Sequence, residues 1–392
     1  MVLSSQAPDG VGATASASPP GASLRIAIVT EYYYPHLGGI CEHVHHVAGE
    51  LRRRGHHADI VTSRIDGTPP TDGVLRIGRS QPIFFNGSQA RVTLGRGLRE
   101  AMRTLLRDGG YDLVHVHAPL TPTLPMLAIE ASPVPVIGTF HTYFEQSLCY
   151  AVGRRYFQRY LDRLSAAVAV SPSTVEALAR YFRADWRVLP NGVDPSVFRP
   201  DAPRPAALRT DVPVILFVGR FDPRNGLDTL IEAFRRVRSP RRPAQLVVVG
   251  GGPLRGYYQR LARGDRDVTF VGPMLDERPG FFAHAAVYAC PTTIASFGIT
   301  LLEAMASATP IVCSDIPGFR DVVQHEREAL MVPRGDPRAL ADGIVRLLDD
   351  AGLAERLGRT GRERAFGYAW PRVTDEILAV YDSLLRRTPV AT

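Results

Sequence analysis

The chain has 392 residues, of which 45% are apolar and 22% charged, and its formal net charge is +7. This length predicts two domains with cores of their own, and the positive charge favours anionic partners such as nucleotides or phospholipid headgroups. Four scattered cysteines without a CxxC pair argue against a disulfide framework or a zinc site and favour a reducing cytosol. No apolar run approaches the roughly 20 residues needed to span a bilayer.

The first half of the chain alternates strand-like and helical segments. Residues 1–23, rich in Ala, Ser, Pro and Gly, are predicted to be a disordered tail and not a signal peptide. The apolar run 24–30 is typical of a buried parallel strand, and apolar residues then recur at helical spacing from Ile40 to Leu51 before Gly55 ends the helix. A first Rossmann-like domain is therefore predicted over residues 24–195, with further strands at 58–63, 74–78, 112–117, 134–140 and 166–171.

The same alternation restarts after a turn-rich connector. The segment 186–200 predicts a last strand and the connector, and a helix has its apolar face from Leu227 to Val237. A second Rossmann-like domain is predicted over residues 196–370, and residues 371–392 are predicted to form a helix that packs back on the first domain. The strands of the second domain are predicted at 212–219, 244–252, 267–272, 285–291 and 309–315. The fold class is thus α/β, with two doubly wound domains facing a cleft.

Each half carries a glycine turn that can bind phosphate. The first is Gly38-Gly39, and the second is the run Ser296-Phe297-Gly298-Ile299-Thr300. Each turn follows a strand-like run and opens a helix, so it offers backbone N–H groups and a positive helix end to an anion. Two such turns predict a diphosphate held between the domains.

Several longer motifs resemble a known family. The runs GRFDPRNGLDTLIEAF, LPNGVD and SFGITLLEAMASATPIVCSD resemble retaining glycosyltransferases of the GT-B fold, family 4, and the resemblance extends over residues 24–385. FFNGSQARVTLGRG (84–97), YDLVHVHAPLTPTLPML and GTFHT are similar to bacterial phosphatidylinositol mannosyltransferases. Those enzymes move mannose from GDP-mannose to a lipid-borne inositol. The resemblance implies a cytoplasmic enzyme, peripheral on the inner membrane face, with a nucleotide sugar and a lipid acceptor as partners and no cofactor.

The resemblance also implies a donor site. Arg220 would bind the diphosphate, Glu303 the ribose hydroxyls, and His141 would approach the transferred sugar, which makes His141 and Arg220 the catalytic candidates. Two positions depart from the family pattern. Ala295 replaces the first glutamate of E-x7-E, and Asn225 replaces a lysine, although the adjacent Arg224 could supply charge. The remaining donor-binding candidates are the turn residues Gly39, Ser296, Phe297, Gly298, Ile299 and Thr300.

The acceptor side is predicted around residues 84–107. The resemblance maps the acceptor loop of the family to Asn86, Ser88 and Arg91, which suit a phosphorylated polyol, although the run NGS is also a common turn. Thr93 stands where the family has a second basic residue. The next segment, 95–110, predicts an amphipathic helix that either lies on anionic lipid or packs as an ordinary surface helix. Its basic stripe consists of Arg96, Arg99, Arg103 and Arg107.

Other chemistries are disfavoured. His43, His45 and His46 lack carboxylate or cysteine partners at metal-site spacing, so no metal is predicted, and nucleic-acid motifs are absent from the sequence. The favoured function is transfer of a hexose, foremost mannose from GDP-mannose, to a polar lipid headgroup such as an inositol phospholipid. The alternatives are a UDP-sugar transferase for another lipid or glycan acceptor, and a catalytically weak nucleotide-sugar-binding protein. The sequence leaves the sugar, the base, the acceptor and the oligomeric state open.

Overall fold

The computed structural model describes residues 23–36, 38–85, 88–274 and 276–386. The tail predicted over 1–23 lies outside these residues except for Ser23, and Asn86 of the predicted acceptor loop also lies outside them. The described residues form two sheets with helices on both faces of each. The two doubly wound α/β units predicted from the sequence are confirmed.

The first sheet has eight strands in the order β4-β3-β2-β1-β5-β6-β7-β8, and all neighbours are parallel except β3 and β4. The strands are β1 (Arg25–Val29), β2 (His57–Arg64), β3 (Val74–Phe85), β4 (Ser88–Leu94), β5 (Leu113–His117), β6 (Val136–Phe140), β7 (Ala166–Ala169) and β8 (Trp186–Val188). The helices are α1 (Gly39–Arg53), α2 (Leu98–Asp108), α3 (Leu124–Ala131), α4 (Leu148–Val152), α5 (Arg154–Leu161) and α6 (Pro172–Ala179).

The central strand β1 is apolar throughout its buried part because both of its faces are covered. Ile26 and Ile28 enter the core that α1 covers, whereas Ala27 and Val29 enter the core on the other face, with Met102 of α2. Alternate side chains of a strand point to opposite faces, so a continuous apolar run requires burial on both. This is why the segment is recognisable as a central parallel strand.

The second sheet has six parallel strands in the order β11-β10-β9-β12-β13-β14. They are β9 (Val214–Val218), β10 (Gln245–Val249), β11 (Val268–Gly272), β12 (Val287–Cys290), β13 (Ile311–Ser314) and β14 (Leu330–Val332). Its helices are α7 (Leu227–Val237), α8 (Arg255–Leu261), α9 (Arg278–Ala283), α10 (Ile299–Ala306), α11 (Pro317–Arg320), α12 (Pro337–Asp349) and α13 (Ala351–Ala365).

The chain passes between the two sheets at two adjacent points. The Val193 N–H donates to the Tyr368 carbonyl at 2.9 Å, and the Trp370 N–H donates to the Val193 carbonyl at 3.2 Å. The final helix, α14 (Trp370–Leu385), then packs against α1, and Trp370, Ile377 and Tyr381 lie in the core of the first sheet. The two crossing segments therefore hold each other at the boundary between the sheets.

Two elements differ from the sequence prediction. The predicted acceptor loop that contains Ser88 and Arg91 belongs to a hairpin, because β4 pairs antiparallel with β3. The dipeptide Asn86-Gly87 is a common hairpin signal and would have predicted this pairing. The helix α2 begins at Leu98, so Arg96 precedes the helix on which the basic stripe was predicted.

Candidate active site at the boundary between the two sheets

The two glycine turns predicted to bind phosphate are adjacent in the structure. Helix α1 begins at Gly39, helix α10 begins at Ile299, and neither helix has a side-chain cap. A Cβ atom added to Gly39 would lie 3.0 Å from Ile299 Cδ1, so the two first turns are in contact. Gly298 has φ 136°, which other residues rarely adopt. Two positive helix ends thus meet where the sequence predicted an anion.

Arginines from both sheets add positive charge beside these helix ends. Burial, together with the guanidinium charges of Arg220 and Arg91, lowers the pKa of His36 to about 4. Arg220 comes from the second domain, directly after β9, and its side chain is 44% exposed. Arg91 comes from β4 of the first domain. The predicted donor and acceptor arginines therefore share one neighbour, and a phosphate placed there would experience both charges.

The loop after Arg220 is held by its own polar residues. The Asn225 side-chain amide donates to the Arg220 carbonyl at 2.8 Å. Asp222 lies 3.9 Å from the guanidinium of Arg220 and 3.4 Å from that of Arg224. Asn225 therefore shapes the loop and offers no replacement for the lysine charge of the family, and Asp222 partly balances both arginines.

Glu303 is a buried carboxylate with one paired and one unpaired oxygen. Its Oε1 lies 3.0 Å from Arg278 of α9, whereas Oε2 is buried with no hydrogen-bond partner among the described residues. Burial raises the pKa of Glu303 to about 7, Arg278 opposes this rise, and the nearby Glu42 adds to it. An unpaired buried oxygen is costly unless a donor satisfies it. A ribose hydroxyl is a suitable donor.

Arg278 also joins the two domains. Its guanidinium lies 3.7 Å from Glu42 of α1, and Glu42 lies 3.6 Å from His46. The His46 ring stacks on Trp370, with centroids 5.0 Å apart and an interplanar angle of 11°. A continuous set of contacts therefore connects Glu303 with the segment where the chain crosses between the sheets.

The three histidines of α1 have three different partners. His43 Nδ1 lies 2.9 Å from Asn191 Oδ1, His45 Nδ1 lies 3.1 Å from the Tyr33 hydroxyl, and His46 binds Glu42. In the described ranges, no group of three or more His, Cys, Asp or Glu side chains is arranged to hold a metal. These histidines contribute to packing and to contacts between elements.

His141 lies in a buried histidine cluster behind the first turns of α1. Its Nε2 lies 2.9 Å from His117 Nδ1, and its ring meets that of His43 edge-on with centroids 5.1 Å apart. Burial lowers the pKa of His141 and His117 well below the usual value, so both rings are neutral. A small cavity of about 30 Å³ adjoins His141, and Phe144, Tyr150 and Leu178 also line it. His141 can exchange hydrogen bonds as a neutral imidazole, but only 9% of it is exposed.

The residues of the turn that opens α10 differ in burial and in their contacts. Phe297 is 4% exposed, and its ring packs edge-on against Tyr368, so only its backbone can face a ligand. The Ser296 carbonyl accepts a hydrogen bond from Ser171 Oγ of the first domain at 2.6 Å. Thr300 lies in the first turn of α10. Ala295 is partly buried against the apolar core of the second domain.

The acceptor hairpin is tied to the first domain by polar contacts. Arg91 Nε donates to Ser80 Oγ at 2.7 Å. Thr93 is fully buried, and its hydroxyl donates to Glu31 at 2.6 Å, so it faces the protein interior and not a ligand. Glu31 also accepts from the Leu124 N–H at 2.8 Å. The side chain of Ser88 lies outside the described part of the hairpin.

The basic stripe of α2 is matched by acidic side chains. Arg99 pairs with Glu130 of α3, Arg103 pairs with Glu100 at 2.5 Å, and Arg107 lies 2.9 Å from Asp108. Met102 and Leu106 bury the opposite face of the helix. These pairs reduce the charge that α2 offers to a membrane. Within the described ranges, no helix is long and apolar enough to cross a bilayer.

Sequence reasoning missed several residues of this site. Arg278 and Glu42 have no local pattern that marks them, because they pair with each other across the two domains and Arg278 also pairs with Glu303 of another helix. His117 and Asn191 lie within quoted motifs, DLVHVH and LPNGVD, but their contacts with His141 and His43 form only on folding. The sequence does not show which of these residues come close together in the folded protein.

Two doubly wound α/β units with adjoining helix N-termini at their boundary match the GT-B fold, and comparison with known proteins identifies the chain as a glycosyltransferase. The "Glycosyltransferase Family 4" profile matches residues 37–197, and the "Glycosyl transferases group 1" profile matches residues 212–350. A phosphatidyl-myo-inositol mannosyltransferase of Mycobacterium leprae is 31% identical over 92% of this chain and 97% of its own length. The chain therefore belongs to glycosyltransferase family 4, and the predicted resemblance is confirmed.

Two further similarities bear on fold and acceptor. A D-inositol 3-phosphate glycosyltransferase of Xylanimonas cellulosilytica is 31% identical and covers 90% of this chain and 93% of its own length. The structure of sucrose-phosphate synthase from Thermosynechococcus elongatus superimposes with a TM-score of 0.77 at 24% identity, covering 93% of this chain and all of that one. The structural similarity supports the GT-B fold.

Proposed function

We propose that this glycosyltransferase transfers mannose from GDP-mannose to the headgroup of an inositol phospholipid, with retention of configuration. The observation that carries the proposal is the combination of two adjoining helix N-termini, Arg220 and the unpaired oxygen of Glu303. These groups suit the diphosphate and the ribose of a sugar nucleotide. The name of the M. leprae relative supports mannose and the lipid acceptor.

On the donor side, Arg220 and the first turns of α1 and α10 would stabilise the charge that grows on the departing diphosphate. Glu303 would accept hydrogen bonds from the ribose, which satisfies its buried Oε2. Retention would follow from attack on the face that the leaving group departs from, with the departing phosphate removing the proton of the acceptor hydroxyl. His141 would offer a neutral hydrogen-bonding group to the sugar, because its pKa is far below the usual value.

On the acceptor side, Arg91 would bind the phosphate that links inositol to the lipid. A second candidate acceptor is a free inositol phosphate, which the name of the X. cellulosilytica relative favours. Arg91 suits both, because each carries a phosphorylated inositol. With the lipid acceptor, we propose that the enzyme acts as a peripheral protein on the cytoplasmic face of the membrane.

The test is an assay of nucleotide release and product formation. The enzyme is incubated with GDP-mannose or UDP-glucose, and with vesicles of phosphatidylinositol or with soluble inositol 3-phosphate. We expect release of GDP and a mannosylated lipid only in the arm with GDP-mannose and vesicles. Product from UDP-glucose would overturn the proposal that GDP-mannose is the donor. Product from inositol 3-phosphate alone would establish the free inositol phosphate as the acceptor. Binding of GDP-mannose without turnover in any arm would indicate a catalytically weak nucleotide-sugar-binding protein. Ala295 and Asn225, which depart from the family pattern, are the residues that favour this alternative.

A further inference from the structure

The most exposed large apolar side chains of the described residues lie together on one short helix. Leu148 and Val152 of α4 are 79% and 82% exposed, whereas the other exposed large apolar side chains range from 38% to 55%. The two are four residues apart, so they lie on the same face of the helix. Tyr156 on the following helix, α5, is 52% exposed. Isolated exposed apolar residues are common, but three within nine residues form a patch.

Arginines without a carboxylate partner among the described residues lie beside this patch on α5. Arg154, Arg155 and Arg159 of α5 are exposed, and in the part of the chain that the structure describes none of them forms an ion pair with a carboxylate. This differs from α2, whose arginines have acidic partners. Apolar side chains beside unpaired arginines are the combination that binds anionic lipid surfaces.

The patch is held firmly by the aromatic residues beneath it. The Ser147 N–H donates to the Tyr181 hydroxyl at 2.9 Å, and Ser147 Oγ accepts from the Tyr150 N–H at 3.3 Å. The Tyr150 ring packs against Phe157 and Phe182 with centroids 5.3 and 5.1 Å away. The exposure of Leu148 and Val152 is therefore a consequence of the fold, because their helix is anchored from the other side.

The same helix reaches the candidate active site. Tyr150 lines the small cavity that adjoins His141, while Leu148 and Val152 of α4 face outward. A membrane in contact with α4 and α5 would thus lie one helix away from His141. This position suits an enzyme whose acceptor headgroup projects from a lipid surface.

We propose that α4 and α5 form the membrane-docking surface of this protein, with Leu148, Val152 and Tyr156 entering an anionic lipid surface and Arg154, Arg155 and Arg159 contacting its headgroups. The inference deepens the proposed function, since it rests on a lipid acceptor. A second copy of the chain fits this surface less well than an anionic membrane does. A twofold interface would place the same patch against itself and bring its unpaired arginines together.

The test compares vesicle co-sedimentation of matched variants. One variant carries Leu148→Gln and Val152→Gln, and a second carries Arg154→Gln, Arg155→Gln and Arg159→Gln. The control for charge carries Arg99→Gln, Arg103→Gln and Arg107→Gln in α2, and the control for apolar exposure is Val197→Gln, which replaces a residue that is 48% exposed. Vesicles of phosphatidylcholine alone are compared with vesicles that also contain phosphatidylglycerol.

We expect the wild type and both controls to bind the phosphatidylglycerol vesicles. The Leu148/Val152 variant should bind roughly 10-fold to 100-fold more weakly, and each lost arginine of α5 should weaken binding about fivefold. Unchanged binding of both α4 and α5 variants, or loss of binding in the α2 control, would overturn the proposal. A wild type that binds no vesicles but self-associates, in a way that the Leu148/Val152 variant abolishes, would overturn the proposal. The surface would then be a contact with a second copy of the chain.

Calorimetry with GDP-mannose in the absence of lipid separates this inference from the proposed function. The α4 and α5 variants should bind the nucleotide sugar as the wild type does, because none of the substituted residues lies in the donor site. One informative outcome is that the α4 and α5 variants lose vesicle binding while the wild type fails to transfer mannose in every arm of the activity assay. That combination would refute the proposed function and would still support the docking surface.

Discussion

Replacing Arg278 by Gln should move the pH dependence of nucleotide-sugar binding toward higher pH. Burial raises the pKa of Glu303 to about 7, and Arg278 holds it below the value that burial alone would give. As the pH falls through 7, Glu303 takes up a proton and loses its charge, so its hydrogen bonds to ribose weaken. Affinity should then fall by up to about tenfold for each further pH unit.

The size of the shift follows from the geometry of the pair. The nearest atoms of Arg278 and Glu303 are 3.0 Å apart, Glu303 is 2% exposed and the Arg278 side chain is 18% exposed. Opposite charges about 4 Å apart interact with roughly 4 kcal/mol at an effective dielectric constant near 20, and one pKa unit corresponds to about 1.4 kcal/mol. Glutamine retains a neutral hydrogen bond, so we expect the pKa of Glu303 to rise by roughly one to two units.

The assay is a calorimetric titration with GDP-mannose between about pH 5.5 and pH 9, a range in which its diphosphate diester does not titrate. The affinity midpoint of the Arg278→Gln variant should lie at higher pH than that of the wild type, and Arg278→Lys, which keeps the charge, should lie near the wild type. In Glu303→Gln the pH dependence should disappear, and binding should weaken by about 1–3 kcal/mol. Equal midpoints in the wild type and Arg278→Gln would refute the coupling between these two residues.

The remaining predictions concern catalysis, sugar choice and stability. Arg220→Ala should lower turnover by roughly 10²-fold with the fold intact by circular dichroism, because a contact with the leaving group is strongest in the transition state; turnover within a few-fold of the wild type would remove Arg220 from the site. Ala295→Glu should change the ratio of kcat/KM between mannose and an epimeric or deoxygenated sugar, since a hydrogen-bonding wall discriminates more strongly than an apolar one. An unaltered ratio would mean that position 295 does not face the sugar. Glu31→Ala should lower the free energy of unfolding in urea by roughly 2–4 kcal/mol, because the Thr93 hydroxyl and the Leu124 N–H would lose their buried acceptor; an unchanged midpoint would show that water replaces the carboxylate without cost.

The sequence by itself determined the fold class and the glycine turns at which α1 and α10 begin. Continuous apolar strands such as β1 and the helical spacing in α1 are local patterns, and each is imposed by which faces of an element are buried. The glycine turns before α1 and α10 are equally local patterns, and Gly298 has a φ of 136°, which glycine adopts more readily than other residues. The role predicted for Arg220 rests on the family resemblance, and Arg220 lies two residues after the buried strand β9, whose carboxyl end faces the cleft in such sheets.

The tertiary structure alone decided which charges and rings meet. Arg278 binds Glu303 and Glu42 although the three residues belong to three helices in two domains. Thr93 turns inward because Glu31 lies beneath the hairpin. The arginines of α2 are ion-paired, whereas those of α5 have no carboxylate partner among the residues that the structure describes. Leu148 and Val152 resemble core residues in the sequence and are exposed because Tyr150 occupies the inward face of their short helix. Burial and pairing depend on neighbours brought together by folding, so residue type and spacing along the chain do not determine them.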